Sequence, residues 1–586
     1  MVQTIGPHPA TGAPGRTTRS AVLLALALLV ALPRLPLQLA GPDAHLSLMV
    51  DDASYYLEAA RRTVETGQWP STDGLHATNG FHPLYMGLLI GIQALAGTEP
   101  RTVLPLVMLL NLALNGLAAW LLLRAVALRR PGFAGLAAAA MLALDPGWLA
   151  HGTLGVENSA SALLLLIAAL RWDRRYGDDD AAPGGGRGRV LDGALLGLAV
   201  LARTDSAFFA LAWIAGAVWR MAGKRGLRAA LAAGAGTALV AGIVVAPWLA
   251  ANLARFGTVT PDSGAALAAR FARDYGPRTS SASLKAEAIG LGFWAYRFLW
   301  SGGLVPLTGW LLGLAVPLRG PRRVARAGWI GWVVALLCAA SLLLRANDPT
   351  DIRDPRAAAL ELALGGLACV GGLVSARPAG LRWRPAFGMT AAAAVLTVLA
   401  YALGFRGFQV WYSTGPCLAF VLLVAWSALP VALEGRRALG ATLLVLMAVQ
   451  SVLVVDGLLT RGGIEGMDRD LLGRGTVLRG RLERFVAASP GPVRFGSFDS
   501  GELAYRVHPF PVVNLDGVMN HDASLAIRQA RLGGYLRSAG ITHLITDSLR
   551  IAQYRRVGDF PAAYDPASSA AIGLGVWRIG AAPPGR

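Results

Sequence analysis

The sequence predicts an all-α polytopic membrane protein that ends in a small α/β domain outside the lipid. Three observations predict it. Hydrophobic residues make up 54% of the chain and charged residues only 15%, at a mean hydropathy of +0.49, which excludes an ordinary soluble domain. Apolar runs of roughly 15–25 residues recur from Ala21 to about Gly457, the length a helix needs to cross a hydrocarbon core of about 30 Å. Beyond about Leu458 charge returns, and the apolar runs become short.

Residues 1–20 read as a disordered cytoplasmic tail. The first apolar run, about Ala21–Ala40, follows Arg16 and Arg19; it is long for a cleavable signal and further spans follow, so a retained anchor is expected. Orientation follows from the arginines, because short cytoplasmic loops keep them. The clusters are Arg124/Arg129/Arg130, Arg171/Arg174/Arg175 with Arg187/Arg189, Arg220/Lys224/Arg225/Arg228, Arg319/Arg322/Arg323/Arg326, Arg377/Arg382/Arg384 and Arg436/Arg437. Placing these inside puts outside the loop 41–101, the Asp145–Glu157 and Arg203–Asp205 turns, the segments 251–299, Arg345–Arg356 and Arg406–Trp411, and the tail. The transmembrane domain, 21–457, then needs about 13 spans. Leu84–Ala96 is apolar but short, and counting it as a span would put Arg124–Arg130 on the wrong side, so it is expected to lie at the interface.

Asp178–Gly188 reads as a flexible cytoplasmic loop, and the Gly-rich stretch Arg461–Arg474 as the joint to the tail domain, 458–586. In the tail, Val493–Phe498, Val512–Leu515 and His543–Thr546 read as strands, and Glu502–Val507 and Ser524–Ser538 as helix-like stretches between them. No internal repeat is visible, which counts against the repeat-built transporter folds. The net charge of +19 is accounted for by the loop arginines, and no basic helix or aromatic-interleaved motif points to nucleic acid. The three cysteines, Cys338, Cys369 and Cys417, lie in or beside apolar runs without CxxC spacing and read as core residues.

The chemistry-bearing residues collect on the outside. Asp51 and Asp52 open the helix-like stretch ASYYLEAARRTVETG; they suit a first turn facing the helix dipole, and equally a general base or cation-holding pair. Asp145 and Glu157 stand at an outside membrane edge, and Arg203 with Asp205 interrupts an otherwise apolar hairpin. Ionisable residues at that depth are costly and mark function, against the plainer readings of helix capping for Glu157 and a mutually paired turn for Arg203 and Asp205. His76, His82 and His151 lie on the same side, where a lone histidine is more often structural.

The stretch DDASYYLEAARRTVETGQWPSTDGLHATNGFHPLYMGLL resembles the first external loop of the C-type (GT-C fold) glycosyltransferases, in which an Asp pair after the first span precedes a juxtamembrane helix and a short HPL-led interfacial helix. LGVENSASALLL, LARTDSAFFAL, PWLAANLARFGTVTPDSG and the tail stretch FGSFDSGELAYRVHPFPVVNLDGVMNHDAS extend the resemblance over most of the chain. The layout is also similar to the lipid A aminoarabinose transferases and, more distantly, to protein O-mannosyltransferases. The resemblance implies that the loop Asp is catalytic. Its spacing falls best on Asp52, with Tyr56, Glu58, Arg61 and Trp69 at corresponding offsets, while the Asp51-Asp52-Ala53 run, where the family often has Asp-Glu, leaves the base open between the two.

An outside site has no access to nucleotide sugars, so resemblance and topology together imply a polyprenyl-phosphate-linked sugar as donor and a lipid, glycan or protein acceptor, at the cell (inner) membrane. Arg203 is the first candidate to face the leaving phosphate, with Arg255, Arg345 and Arg406 as looser ones. Some relatives hold a divalent cation between the loop Asp and a second carboxylate; Asp52 and Glu157 match those positions, with Mg, Mn or Ca favoured by oxygen ligands and Zn made conceivable by the histidines. The competing expectations are a polyprenyl-lipid transporter or flippase and a non-catalytic envelope-glycan scaffold.

Overall fold

The computed structural model describes residues 16–129, 133–176, 186–275, 385–400, 437–463, 470–555, 560 and 562–580. Helix α1 (Arg16–Ala31) passes through a 3₁₀ turn (Leu32–Arg34) into α2 (Leu35–Leu39). The next helix, α3 (Pro42–Leu48), departs at 111° from that axis through Gly41, whose φ of +90° suits only glycine. The first loop holds α4 (Asp51–Thr66) and α5 (Pro83–Ala96). There follow α6 (Pro100–Arg129), α7 (Phe133–Ala143), α8 (Pro146–His151), α9 (Asn158–Tyr176), α10 (Gly186–Ala202), α11 (Ser206–Arg225), α12 (Leu227–Phe256), α13 (Asp262–Tyr275), α14 (Pro385–Ala400) and α15 (Arg437–Arg461).

Among the described residues four helices, within α6, α11, α12 and α15, are long and apolar enough to cross a membrane, and the bent α1–α3 segment makes a fifth if taken as one span. The chain is a multi-pass membrane protein. The expectation of about 13 spans draws on residues 276–384 and 401–436, which lie outside the described residues. Helix α5 has 14 residues, about 21 Å at 1.5 Å per residue, and is short of a 30 Å core.

Packing between the apolar helices relies on small residues. Gly193 and Gly197, one turn apart on α10, let α12 approach so closely that a Cβ at Gly193 would stand 2.6 Å from the Thr237 carbonyl oxygen. Two buried ionic arrangements accompany the packing. The Arg34 guanidinium, buried at the end of the first apolar segment, donates to Asn115 Oδ1 (3.0 and 2.6 Å) and to the Val30 carbonyl (2.6 Å). On the arginine-rich side, the buried Asp192 accepts from Arg171 at 2.9 Å and pairs with Arg175.

The tail begins with α16 (Leu471–Ala488) and continues through β1 (Phe495–Ser497), α17 (Gly501–Val507), β2 (Val512–Asn514), α18 (His521–Arg528), α19 (Leu532–Ser538), β3 (His543–Ile545), α20 (Ser548–Arg555), β4 (Ala562–Tyr564), α21 (Pro566–Ile572) and β5 (Val576–Ile579). These build one sheet in the order β2-β1-β3-β5-β4, parallel across β2, β1 and β3 and antiparallel at β5 and β4. Alternate strand residues feed opposite cores: Phe495, Val512 and Ile545 pack toward α16, while Val513 and Leu544 pack toward α18 and α19. The stretch expected to be one helix over Ser524–Ser538 is two, because Ala530 takes a φ of +53° and turns the chain. A third apolar cluster joins Val50, Leu57, Tyr85 and Leu104 of the helical part to Leu471, Tyr505 and Met519 of the tail, so α4 lies between the two parts.

Candidate active site

Helix α4 positions the site. Asp51 and Asp52 occupy its first turn, where the helix dipole favours negative charge, and Gly67 ends it in the left-handed conformation at φ +68°. Successive residues point about 100° apart, so Asp51 and Asp52 look in different directions, as do Tyr55 and Tyr56.

Tyr56 lies one turn after Asp52 on the same face. Its buried hydroxyl accepts from the His82 backbone N–H at 2.9 Å and hydrogen-bonds with Glu157. Burial, with the charges of Glu157 and Asp52, holds this phenol well above its ordinary pKa, and it stays a proton donor. Glu157, which stands just before α9 and is 3% exposed, accepts from Arg203 Nη1 at 2.8 Å. The same Arg203 nitrogen donates to Asn158 Oδ1 at 3.0 Å, and its Nε donates to both Asp205 oxygens at 3.0 and 2.9 Å. His82, where α5 begins, closes the group. Its Nδ1 accepts from the Thr204 N–H at 3.3 Å, and its Nε2 faces Glu157 Oε1 at 3.4 Å. Burial outweighs the pull of Glu157 and keeps the imidazole below its usual pKa, hence neutral at pH 7.

The structure thus brings Asp52, Tyr56, His82, Glu157, Arg203 and Asp205 to one place from four separate segments. In this group a carboxylate, Asp52, can remove a proton, a neutral Tyr56 and His82 hold Glu157, and the Arg203 guanidinium is fixed between Glu157 and Asp205. Asn158 belongs to the group and was not singled out from the sequence; its place beside Glu157 at an apolar helix start was the available signal.

Other candidates lie elsewhere. Asp51 Oδ1 accepts from the Glu502 N–H of the tail at 2.7 Å. The Arg255 guanidinium stands over the Trp69 ring, 5.3 Å from its centroid, within an aromatic group that includes Phe81, Trp248 and Phe256. Arg345 and Arg406 are outside the described residues. Asp145 caps α8, accepting from the Trp148 N–H at 2.7 Å. His76 pairs with Asp73 at 2.7 Å, and His151 meets Asn158 at 3.4 Å. Glu58 and Arg61, though on α4, turn to the tail.

A metal held between Asp52 and Glu157 does not fit the geometry well, since Glu157 Oε1 is committed to Arg203. Among the described residues no group of three or more His, Cys, Asp or Glu side chains is arranged to hold a metal ion. Among the described residues the cation that meets Glu157 is the Arg203 guanidinium.

No family model and no curated protein matches the chain. Among solved structures, it is similar to ArnT from Cupriavidus metallidurans bound to undecaprenyl phosphate, at 13% identity and a TM-score of 0.49 over 96% of this chain and 98% of that one. It is also similar to the Archaeoglobus fulgidus oligosaccharyltransferase in complex with Zn and sulfate, at 12% identity and a TM-score of 0.47 over 95% and 72% of the two chains. A third is the oligosaccharyltransferase AglB from the same archaeon with an inhibitory peptide and a dolichol-phosphate, at 14% identity and a TM-score of 0.42 over 94% and 74%. At these identities and TM-scores the likenesses carry no conclusion about chemistry.

Proposed function

We propose that this chain is an inverting glycosyltransferase that moves a sugar from a polyprenyl-phosphate donor to an envelope lipid, glycan or protein acceptor on the outer face of the cell membrane. The observation that carries the reading is the convergence of Asp52, Tyr56, His82, Glu157 and Arg203 in one group at the starts of α4, α5, α9 and α11. A buried, mutually satisfied set of ionisable groups at a membrane edge is expensive to build, and function is its usual reason.

In this reading Asp52 takes the proton of the acceptor hydroxyl, whose oxygen attacks the anomeric carbon from the face opposite the phosphate. The anomeric C–O bond breaks, its electron pair leaves with the polyprenyl phosphate, and the anomeric centre inverts. Arg203 offsets the charge that develops on the leaving group, where a planar fork suits phosphate oxygens. Glu157 and Asp205 hold that guanidinium in register, and Tyr56 and His82 in turn hold Glu157. The first loop and residues 458–586 face the outside together in this reading, with the arginine clusters inside.

The test is mass spectrometry of envelope lipids, glycans and proteins from cells with and without the gene, followed by transfer with the purified protein in nanodiscs. The expected result is one glycan or lipid species lacking a sugar and a polyprenyl-phosphate sugar accumulating. An unchanged envelope and no transfer from any polyprenyl-phosphate sugar would return the lipid-transporter reading.

A further inference from the structure

In open α/β sheets the space outside the carboxyl ends of the parallel strands is where ligands usually sit. In this tail the carboxyl ends of β1 and β2 are filled by α4 instead. The Tyr55 hydroxyl donates to Asp516 Oδ2 at 2.9 Å and accepts from the Ser500 N–H at 2.8 Å, with the Asn514 side-chain amide at 3.2 Å. Asp516 is itself fixed: its Oδ2 accepts from the Asp499 N–H at 3.1 Å and its Oδ1 from the Val518 N–H at 2.8 Å. Asp499 takes a φ of +58°, an unusual conformation for a non-glycine residue, at the point where β1 leaves the sheet. One turn earlier on α4, Asp51 accepts from the Glu502 N–H at 2.7 Å and so caps α17, whose own leading residue, Ser500, makes no side-chain cap. Burial and the neighbouring carboxylates keep the Tyr55 phenol protonated, so it remains the donor in this joint.

We propose that Tyr55 and Asp516 are positioning residues: the tail sheet grips α4 through this joint and thereby sets where Asp52, three residues before Tyr55 and about 60° round the helix from it, stands relative to Tyr56, Glu157 and Arg203. The proposal rests on the reading of Asp52 as the base, and the tail's strand ends are a clamp on α4 in it, not a ligand site. Removing the Tyr55 hydroxyl leaves the ring and its packing in place and frees α4 to shift.

The test is Tyr55→Phe in full-length protein, with two readouts. Turnover is measured at saturating donor and acceptor, per mole of folded protein and well below the melting temperature. Hydrogen exchange of the α4 amides is measured without substrate. The expected result is a kcat about ten- to a hundred-fold lower with both KM values within about three-fold, and clearly faster exchange over residues 51–58, with exchange in the tail strands unchanged. Asp516→Asn, which keeps an oxygen for the Tyr55 hydroxyl, should retain most of the turnover, whereas Asp516→Ala should behave like Tyr55→Phe. Unchanged kcat per folded molecule, or α4 exchange equal to wild type, would overturn the proposal. If Tyr55→Phe fails to fold, the Asp516 pair decides it by the same readouts. A wild-type protein with no transferase activity would sink the reading of Asp52 instead, while the exchange data still judge the joint.

Discussion

The two faces of α4 carry the same residue types and do different work. On one face Asp51, Tyr55, Glu58 and Arg62 recur at helical spacing and are used up in contacts with the tail: Asp51 with Glu502, Tyr55 with Asp516, Glu58 with His508 at 2.9 Å, and Arg62 with the Pro509 carbonyl at 3.4 Å. On the other, Asp52 and Tyr56 face Glu157, Arg203 and His82, which stand in the turns just before α9, α11 and α5. The difference teaches that an acidic pair cannot be assigned a role by residue type. The helical rotation of about 100° between neighbours assigns it, because it sends one carboxylate to an N–H of the tail and the next toward Tyr56 and its partners.

The comparison breaks most visibly at Arg203. Arg203→Ala should lower kcat/KM for the lipid-phosphate donor by about ten- to a hundred-fold, the scale expected for losing a charge-assisted contact to phosphate, and Arg203→Lys should restore only part of it. Steady-state kinetics with donor and acceptor varied separately check this. An effect confined to the acceptor would remove the guanidinium from the phosphate.

Glu58→Gln probes the opposite face. The buried carboxylate is shared by Arg61, Arg62 and His508, and losing its charge should cost about 3 kcal/mol of stability, read as a lower midpoint in thermal unfolding and easier proteolysis at the tail joint. Loss of transfer with an unchanged midpoint would mean that this face too is chemical.

A smaller effect sharpens the same comparison in the loop that follows α4. Burial lowers the pKa of His76, but Asp73 more than offsets it, so the folded value is raised, and His76 also meets Tyr535 of the tail. A histidine with a raised folded pKa stabilises fully below its unfolded value of 6.5 and loses that contribution as pH rises through the folded value. His76→Gln should therefore cost a few tenths to about 1 kcal/mol near pH 6 and almost nothing near pH 9. Equal destabilisation at both values would remove the ion pair from the joint.

The sequence made the apolar helices readable because lipid demands long uninterrupted runs, and it made Glu157, Arg203 and Asp205 conspicuous because charge is rare at such positions. It was silent on what Asp51 and Tyr55 do. The hydroxyl of Tyr55 meets a carboxylate 461 positions later, and nothing in local spacing encodes that distance. Arg255 reads from the sequence as a looser candidate than Arg203 for the same phosphate, and an aromatic ring from the first loop claims it. Within the tail, β1, β2 and β3 stood out as short apolar runs. The strand β4, with two of its three residues exposed, and β5, four residues interrupted by Arg578, are too short and too mixed in exposure to stand out.

The division of labour on α4 is tested most directly by measuring Asp52→Asn and Asp51→Asn side by side in nanodiscs, each for sugar transfer and for hydrogen exchange of α17. Asp52→Asn keeps the shape and capping ability of the residue but not the base; it should lower transfer by about 10²–10⁴-fold and leave α17 exchange at the wild-type rate. Asp51→Asn should do the reverse, with transfer within about ten-fold of wild type and faster α17 exchange, because the charged cap on the Glu502 N–H is weakened. Transfer at near wild-type rate by Asp52→Asn, or its abolition by Asp51→Asn with α17 unaffected, would contradict the assignment of the two faces.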